Sequence, residues 1–137
     1  MSSALTVTHH NIENEASKGP SLQLLAKGQL ADHLGLIDLL LTSETHESPD
    51  NQLCLFDKTI WDTFSTPHPK SNDSSPLSRR AGVAIRVRIN PAFSASKTKL
   101  PQECKSPDFL FVTCTTQAKN GTPVSAFVIG VAYLPSK

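Results

Sequence analysis

The stretch Ile37–His46, IDLLLTSETH, decides how this 137-residue sequence folds. One isoleucine and three leucines dominate its first half, and a short continuous apolar run is typical of a strand covered on both faces. The run is followed closely by a carboxylate, Glu44. We therefore predict a buried strand over Leu36–Ser43 that presents Glu44 at its carboxyl end.

Two further elements are predicted before this strand. Leu5–Asn11, LTVTHHN, alternates and contains β-branched residues, which favours a strand. Ser21 is suited to cap a helix whose apolar residues recur at helical spacing up to Leu34, and Gly35 is suited to end it. The order strand, helix, strand predicts a βαβ unit with two parallel strands.

Parallel strands bring their carboxyl ends to one edge of the sheet, where ligands bind in open α/β sheets. In this sequence the two ends carry Asn11 and Glu44. The leucines would fix the second strand in the sheet, and the carboxylate is what that strand would present.

The rest of the chain is predicted to be strands and exposed loops. The strands are Ile60–Phe64, Gly82–Ile89, Phe109–Thr116 and Val124–Tyr133. Residues 65–80 have the Pro, Ser and Asn content of a loop, and a lysine-rich loop is expected before Phe109. Asn120 and Gly121 supply a hairpin turn between the last two strands. Both of these strands are apolar on both faces, so each is expected to be covered on both sides.

Charge distribution and hydropathy limit the classes of protein to which this sequence can belong. Residues 1–70 contain four Lys/Arg and nine Asp/Glu, which gives −5, whereas residues 71–137 contain nine and three, which gives +6. This split fits either a cation site and a phosphate-binding part, or two solvated surfaces. No apolar run approaches the length of a membrane span, and no secretory signal begins the sequence. We expect an intracellular protein, cytoplasmic or nuclear, that is not secreted.

The three cysteines show no CxxC spacing. Their odd number and their spacing suggest neither a disulfide framework nor a thiolate zinc site, so we expect inert thiols.

Four motifs in order carry a family resemblance. They are VTHHNIEN at Val7–Asn14, IDLLLTSETH, RRAGVAIRV at Arg79–Val87 and GVAYLP at Gly130–Pro135. With these four motifs taken together, the sequence resembles the endonuclease/exonuclease/phosphatase family, which comprises the deoxyribonuclease I-like metal-dependent phosphodiesterases. Within that family it resembles the endonucleases of LINE-type retrotransposons.

The resemblance implies an α/β fold. It would be a mixed β-sheet with a flanking helix, equivalent to the first half of a two-sheet α/β sandwich, with residues 1–137 forming a single truncated domain. Because each half of the family fold contributes roughly one sheet, the inner face of this sheet is expected to lack a partner. Apolar residues of the last two strands would then face water unless another chain covers them.

The resemblance also implies the site residues. Glu44 would bind Mg²⁺ or Mn²⁺, and Asn11 and Tyr133 would serve the catalytic site as phosphate contacts. Glu13 would be an outer or weak ligand. A hard, small cation is satisfied by one or two carboxylates and several waters.

Nucleic acid, DNA in the first place, is the partner that the resemblance implies. Arg79 and Arg80 are candidate contacts to its backbone. A charged loop beside an edge strand explains the same residues. Arg86 and Arg88 make one face of their strand polar, which predicts that this face is not fully buried.

The second-half signature of the family is not found in these residues. The sequence contains no Asp-x-Asn pair, and its Asp-His pair, Asp32–His33, falls inside the predicted helix. We therefore expect the N-terminal portion of a nucleic-acid phosphodiesterase that is inactive alone. The alternative is a catalytically silent remnant of retroelement origin that binds nucleic acid or protein.

Simpler interpretations of the site residues remain open. Glu44 could be a solvated residue ending a strand, Asn11 a turn former and Tyr133 a core aromatic. His46 could join Glu44 and the histidines of the first strand in a zinc site, although the spacing matches no zinc motif. An unrelated small α/β binding domain would also account for the elements.

Overall fold

The computed structural model describes residues 5–13, 15–27, 37–47, 53, 56–66, 82–91, 93–104, 108–118, 120 and 122–133. Seven strands and one α-helix lie within these ranges. Their bounds are β1 Val7–Asn11, α1 Glu15–Lys27, β2 Leu39–Ser43, β3 Trp61–Thr66, β4 Val83–Arg88, β5 Phe93–Lys97, β6 Phe109–Gln117 and β7 Pro123–Ala132. A short 3₁₀ turn spans Gln102–Cys104. The chain thus has mixed α/β content, with strands predominating.

A four-stranded mixed sheet forms around the apolar stretch within Ile37–His46. Its strand order is β1-β2-β4-β3, and β1 pairs with β2 in parallel while β4 pairs antiparallel with both β2 and β3. Every residue of β2 is buried, from Leu39 to Ser43. The predicted buried central strand and its parallel neighbour are therefore confirmed.

The helix begins earlier than predicted. α1 starts at Glu15 rather than after Ser21, and it contains Pro20. The prediction took the polar segment before Ser21 for a bend. Proline costs the helix the hydrogen bond that its N–H would have donated to the carbonyl of Ala16. The burial of Leu22 opposes that cost. The predicted helix end at Gly35 lies outside the described residues.

A second sheet contains the last three strands, in the order β5-β6-β7, all antiparallel. The prediction of a lysine-rich loop between β4 and β6 was wrong over Phe93–Lys97, which forms β5. Its sequence, FSASK, is short and weakly apolar, so it lacked a clear strand signal. The hairpin between β6 and β7 is where it was predicted, and the Asn120 side chain accepts a hydrogen bond from the Thr122 N–H at 3.0 Å. Gly121 lies outside the described residues.

The two sheets share one hydrophobic core, which we call the inter-sheet cluster. Its buried members are Leu39, Leu41, Val83, Ile85, Val87, Leu110, Val112, Cys114 and Val131. The first five come from the four-stranded sheet and the other four from the three-stranded sheet. Odd-numbered residues of β2 and β4 therefore face even-numbered residues of β6.

This packing corrects the expectation that the inner face of a single sheet would lack a partner. The described chain supplies both sheets, and each covers the inner face of the other. The expectation that β7 is covered on both faces was also wrong. Its even-numbered residues from Val124 to Ala132 are exposed, because no described element lies on the outer side of the three-stranded sheet.

A second core lies on the opposite face of the four-stranded sheet, and we call it the helix-side cluster. It contains Ile12, Leu22, Ile37, Leu40, Phe56 and Trp61. Leu40 and Leu41 thus enter different cores, because successive side chains of a strand point to opposite faces of the sheet. This is why β2 needs apolar residues at consecutive positions.

Arg86 corrects the expectation of a polar, incompletely buried face on β4. Its side chain is 0% exposed, and its guanidinium lies 3.7 Å from the centre of the Phe56 ring. Arg88 stacks on Trp61 at 4.6 Å and donates from Nε to the Ile37 carbonyl at 2.8 Å. Aromatic faces and a backbone carbonyl thus accommodate cations that the alternation pattern assigned to solvent.

Candidate functional site

The carboxyl ends of β1 and β2 meet at one edge of the four-stranded sheet. Asn11 lies opposite Ser43 in the parallel register, and Glu44 follows Ser43 directly. The Ile12 N–H donates to the Ser43 carbonyl at 3.0 Å, which continues the pairing past the end of β1. Adjacent strands lie about 5 Å apart, so the two backbones bring Asn11 and Glu44 to the same end of the sheet.

The backbone at this edge is unusual. Within the described ranges, the non-glycine residues with positive φ are Glu13 (46°), Glu44 (54°) and His46 (59°), and the one such glycine is Gly82 (111°). Glu13 follows β1, Glu44 and His46 follow β2, and Gly82 precedes β4, which pairs Val83 with Ser43. All four therefore lie at the same end of one sheet. Such strained conformations cluster at functional sites more than elsewhere.

The loop after β2 is fixed by Thr45 and Gly82. Thr45 is buried, its N–H donates to the Gly82 carbonyl at 3.1 Å, and its Oγ1 accepts from the Glu47 N–H at 3.3 Å. A β-carbon on Gly82 would overlap that Oγ1 atom. The pair holds the segment bearing Glu44 against the start of β4. This role of Thr45 and Gly82 was not predicted, although a glycine just before an apolar strand signals a close backbone approach.

Glu44 is half-buried and Asn11 is exposed. Across the part of the chain that the structure describes, neither side chain makes a hydrogen bond or ion pair. Within the described ranges, one carboxylate and one amide at this edge thus have no protein partner. Such donors fit a hydrated Mg²⁺ or Mn²⁺, which needs few protein oxygens.

Glu13 is directed towards the helix. Its Oε2 lies 3.4 Å from Lys18 Nζ in an exposed ion pair. Exposed pairs of this kind contribute little to stability. The ammonium nevertheless competes with a cation for this carboxylate, so Glu13 fits an outer role better than direct ligation.

Tyr133 lies in the other sheet, just after β7. It is half-buried against the inter-sheet cluster, and its N–H donates to the Asp108 carbonyl at 2.7 Å. This placement agrees with the core-aromatic interpretation of Tyr133. Its contact with a phosphate stays a prediction. Arg79 and Arg80 lie outside the described residues.

The zinc alternative receives no support. Among the residues whose positions are described, no three His, Cys, Asp or Glu side chains gather in a possible metal-binding group. His9 and His10 are exposed on β1. No helix in the described segments is long and apolar enough to cross a membrane.

In comparisons with known proteins, the sequence matches no protein-family model, and no curated protein matches it significantly.

Proposed function

We propose that this chain is the N-terminal portion of a metal-dependent nucleic-acid phosphodiesterase of the endonuclease/exonuclease/phosphatase type. Glu44 is the cation ligand, and Asn11 and Tyr133 contact the phosphate. The observation that carries the proposal is the parallel pairing of β1 and β2, which sets Asn11 opposite Ser43, the residue that precedes Glu44. The mixed α/β content, with two sheets and one helix, is consistent with a two-sheet sandwich.

Each group suits its role chemically. The Glu44 carboxylate supplies the charge that a hard dication prefers, and the neutral Asn11 amide orients an anionic phosphate without repelling it. A bound Mg²⁺ or Mn²⁺ would polarise the phosphodiester and neutralise the departing oxygen. Arg79 and Arg80 enter the proposal from the sequence alone, as contacts to the nucleic-acid backbone.

These 137 residues do not hold a complete catalytic set. Hydrolysis also needs a base that activates water, and in the family an Asp-His pair in the second half supplies it. The present residues contain no such late pair and no Asp-x-Asn. We therefore propose that the 137-residue chain binds a cation but does not cleave nucleic acid alone. The same observation favours the second candidate, a silent retroelement-derived module that binds nucleic acid or protein.

Cation binding tests the proposed ligand. Titration of the 137-residue chain with Mn²⁺, followed by water-proton relaxation, should show one site that Glu44→Gln weakens at least roughly tenfold. Asp62→Asn is the matched control, because Asp62 is an exposed carboxylate near the opposite end of the same sheet. Equal Mn²⁺ affinity in the Glu44→Gln and Asp62→Asn variants would remove Glu44 from the proposal.

A plasmid-nicking assay distinguishes a complete nuclease from the two candidate functions, the N-terminal portion that is inactive alone and the silent binding module. With Mg²⁺, the 137-residue chain should nick supercoiled DNA no faster than Glu44→Ala does. Mg²⁺-dependent nicking that Glu44→Ala abolishes would show that the base lies within these residues. It would refute the proposal that they hold only part of the catalytic set.

A further inference from the structure

The outer face of the three-stranded sheet, turned away from the inter-sheet cluster, is unlike an ordinary solvent-facing surface. It consists of alternate residues of β7 from Val124 to Ala132, alternate residues of β6 from Phe109 to Thr115, and Ser94 and Ser96 of β5. No residue in this set is charged. A solvated face of an antiparallel sheet normally alternates polar and charged residues outward.

The face is also apolar where it is most exposed. Val124 is 69% exposed and Val128 is 57% exposed. Gly130 lies beneath the Phe111 ring, since a β-carbon at Gly130 would overlap two ring atoms. The glycine lets the ring lie flat across β7 and join the valines in one patch. An exposed contiguous patch of this kind marks an interaction site.

We propose that this outer face binds the same face of a second copy of the chain. A two-fold contact sets each patch against itself, so any charge within the patch would face a like charge near the axis. A face without charge carries no such penalty. The proposal is independent of the phosphodiesterase function, since Glu44 and Asn11 lie in the other sheet and Tyr133 packs against the inter-sheet cluster, on the inner side of this sheet.

The size of the face sets the strength of the contact. β7 has ten residues, which span about 34 Å. β6 has nine residues and β5 only five, so with strands about 4.8 Å apart the footprint is about 400 Å² on each copy. A total of about 800 Å² lies below the size of stable specific interfaces, which predicts a weak dimer that dissociates on dilution.

Pairing through the free edge of β7 would be a different dimer, and the fold disfavours it. β7 contacts β2 and β4, so β1 extends beyond β7 in the sheet below. Two copies joined edge to edge through β7 would bring each β1 into the space of the other copy. The face, rather than the edge, therefore carries the contact.

Sedimentation equilibrium of the 137-residue chain tests the proposal. The mass should rise with concentration from 14.8 kDa to twice that value and no further, because an isologous contact closes at two. Val128→Lys and Ala126→Lys should each weaken dimerisation at least about tenfold, since each buries a charge in the contact.

Ser125→Lys is the matched control. Ser125 is exposed on the same strand, but it belongs to the opposite face, where its hydroxyl pairs with Thr116 Oγ1 at 2.6 Å. The Ser125→Lys chain should dimerise as the unaltered chain does. Equal loss of dimer in Ser125→Lys and Val128→Lys would place the contact at the strand edge and overturn the proposal.

The unaltered chain provides a measurement that needs no variant. Methyl NMR signals of Val124 and Val128 should shift with concentration, whereas those of the buried Leu40 should not. A monomer at every concentration, growth beyond a dimer, or a dimer that leaves the valine signals unchanged would each refute the contact.

Discussion

Gly82 directly precedes β4 and has φ 111°, a backbone conformation that residues other than glycine rarely adopt. A β-carbon there would also meet Thr45 Oγ1 and come within 3.4 Å of the Glu47 nitrogen. The residue is therefore constrained twice, by its own dihedral angle and by the loop that carries Glu44.

Replacing Gly82 by alanine should lower the free energy of unfolding by about 2 kcal/mol or more, because strain and overlap add. Urea denaturation measures this change. Gly130→Ala is the control, since its β-carbon would overlap only the Phe111 ring, a side chain that can turn away, and would make an ordinary 3.5 Å contact with the Leu110 carbonyl. We expect a loss of less than about 1 kcal/mol for that control. Comparable losses in the two variants would mean that Gly82 is not specially constrained.

At the scale of the element, β2 explains the run of leucines. A strand covered on one face needs apolar residues only at alternate positions, but β2 lies between two cores. Leu41 enters the inter-sheet cluster and Leu40 enters the helix-side cluster. The run was therefore a sufficient signal for a central strand. β5, with its serines and lysine, gave no comparable signal.

Leu40→Ala and Leu41→Ala should each lower the free energy of unfolding by about 2–5 kcal/mol, because each leaves a cavity in a packed core. Leu24→Ala on α1 should change it by less than about 0.5 kcal/mol, since Leu24 is 71% exposed. Thermal or urea unfolding of the three variants checks both values. A small loss for Leu40→Ala alone would show that the helix-side cluster does not cover this strand.

At the scale of the whole molecule, the inter-sheet cluster is what joins the two sheets. Cys114 lies within it at 0% exposure, and burial raises the pKa of its thiol above the ordinary value. The folded protein therefore keeps this proton at pH values where the unfolded chain loses it. Burial and a raised pKa favour the inert thiol that was predicted for Cys114, and its inertness stays a prediction.

The stability of the molecule should accordingly fall as the pH rises above about 8.5, where the unfolded thiol ionises. The contribution of Cys114 is fully present below that pH and is lost towards its higher folded pKa. The slope from one thiol is at most about 1.4 kcal/mol per pH unit. Cys114→Ala should be less stable at neutral pH but show a flatter profile above pH 8.5 in urea titrations. Parallel profiles for the two proteins would contradict this linkage.

The sequence by itself determined the parallel pair β1 and β2, because alternation, an apolar run and the intervening helix are local signals. It also placed Asn11 and Glu44 at a common edge, since parallel strands leave no other arrangement. Only the tertiary structure decided that β5–β7 form a second sheet covering the first, that Arg86 lies buried beneath Phe56, and that Thr45 requires glycine at position 82. These features depend on contacts between residues far apart in the chain, and a pattern read along the sequence contains no information about which distant surfaces will meet.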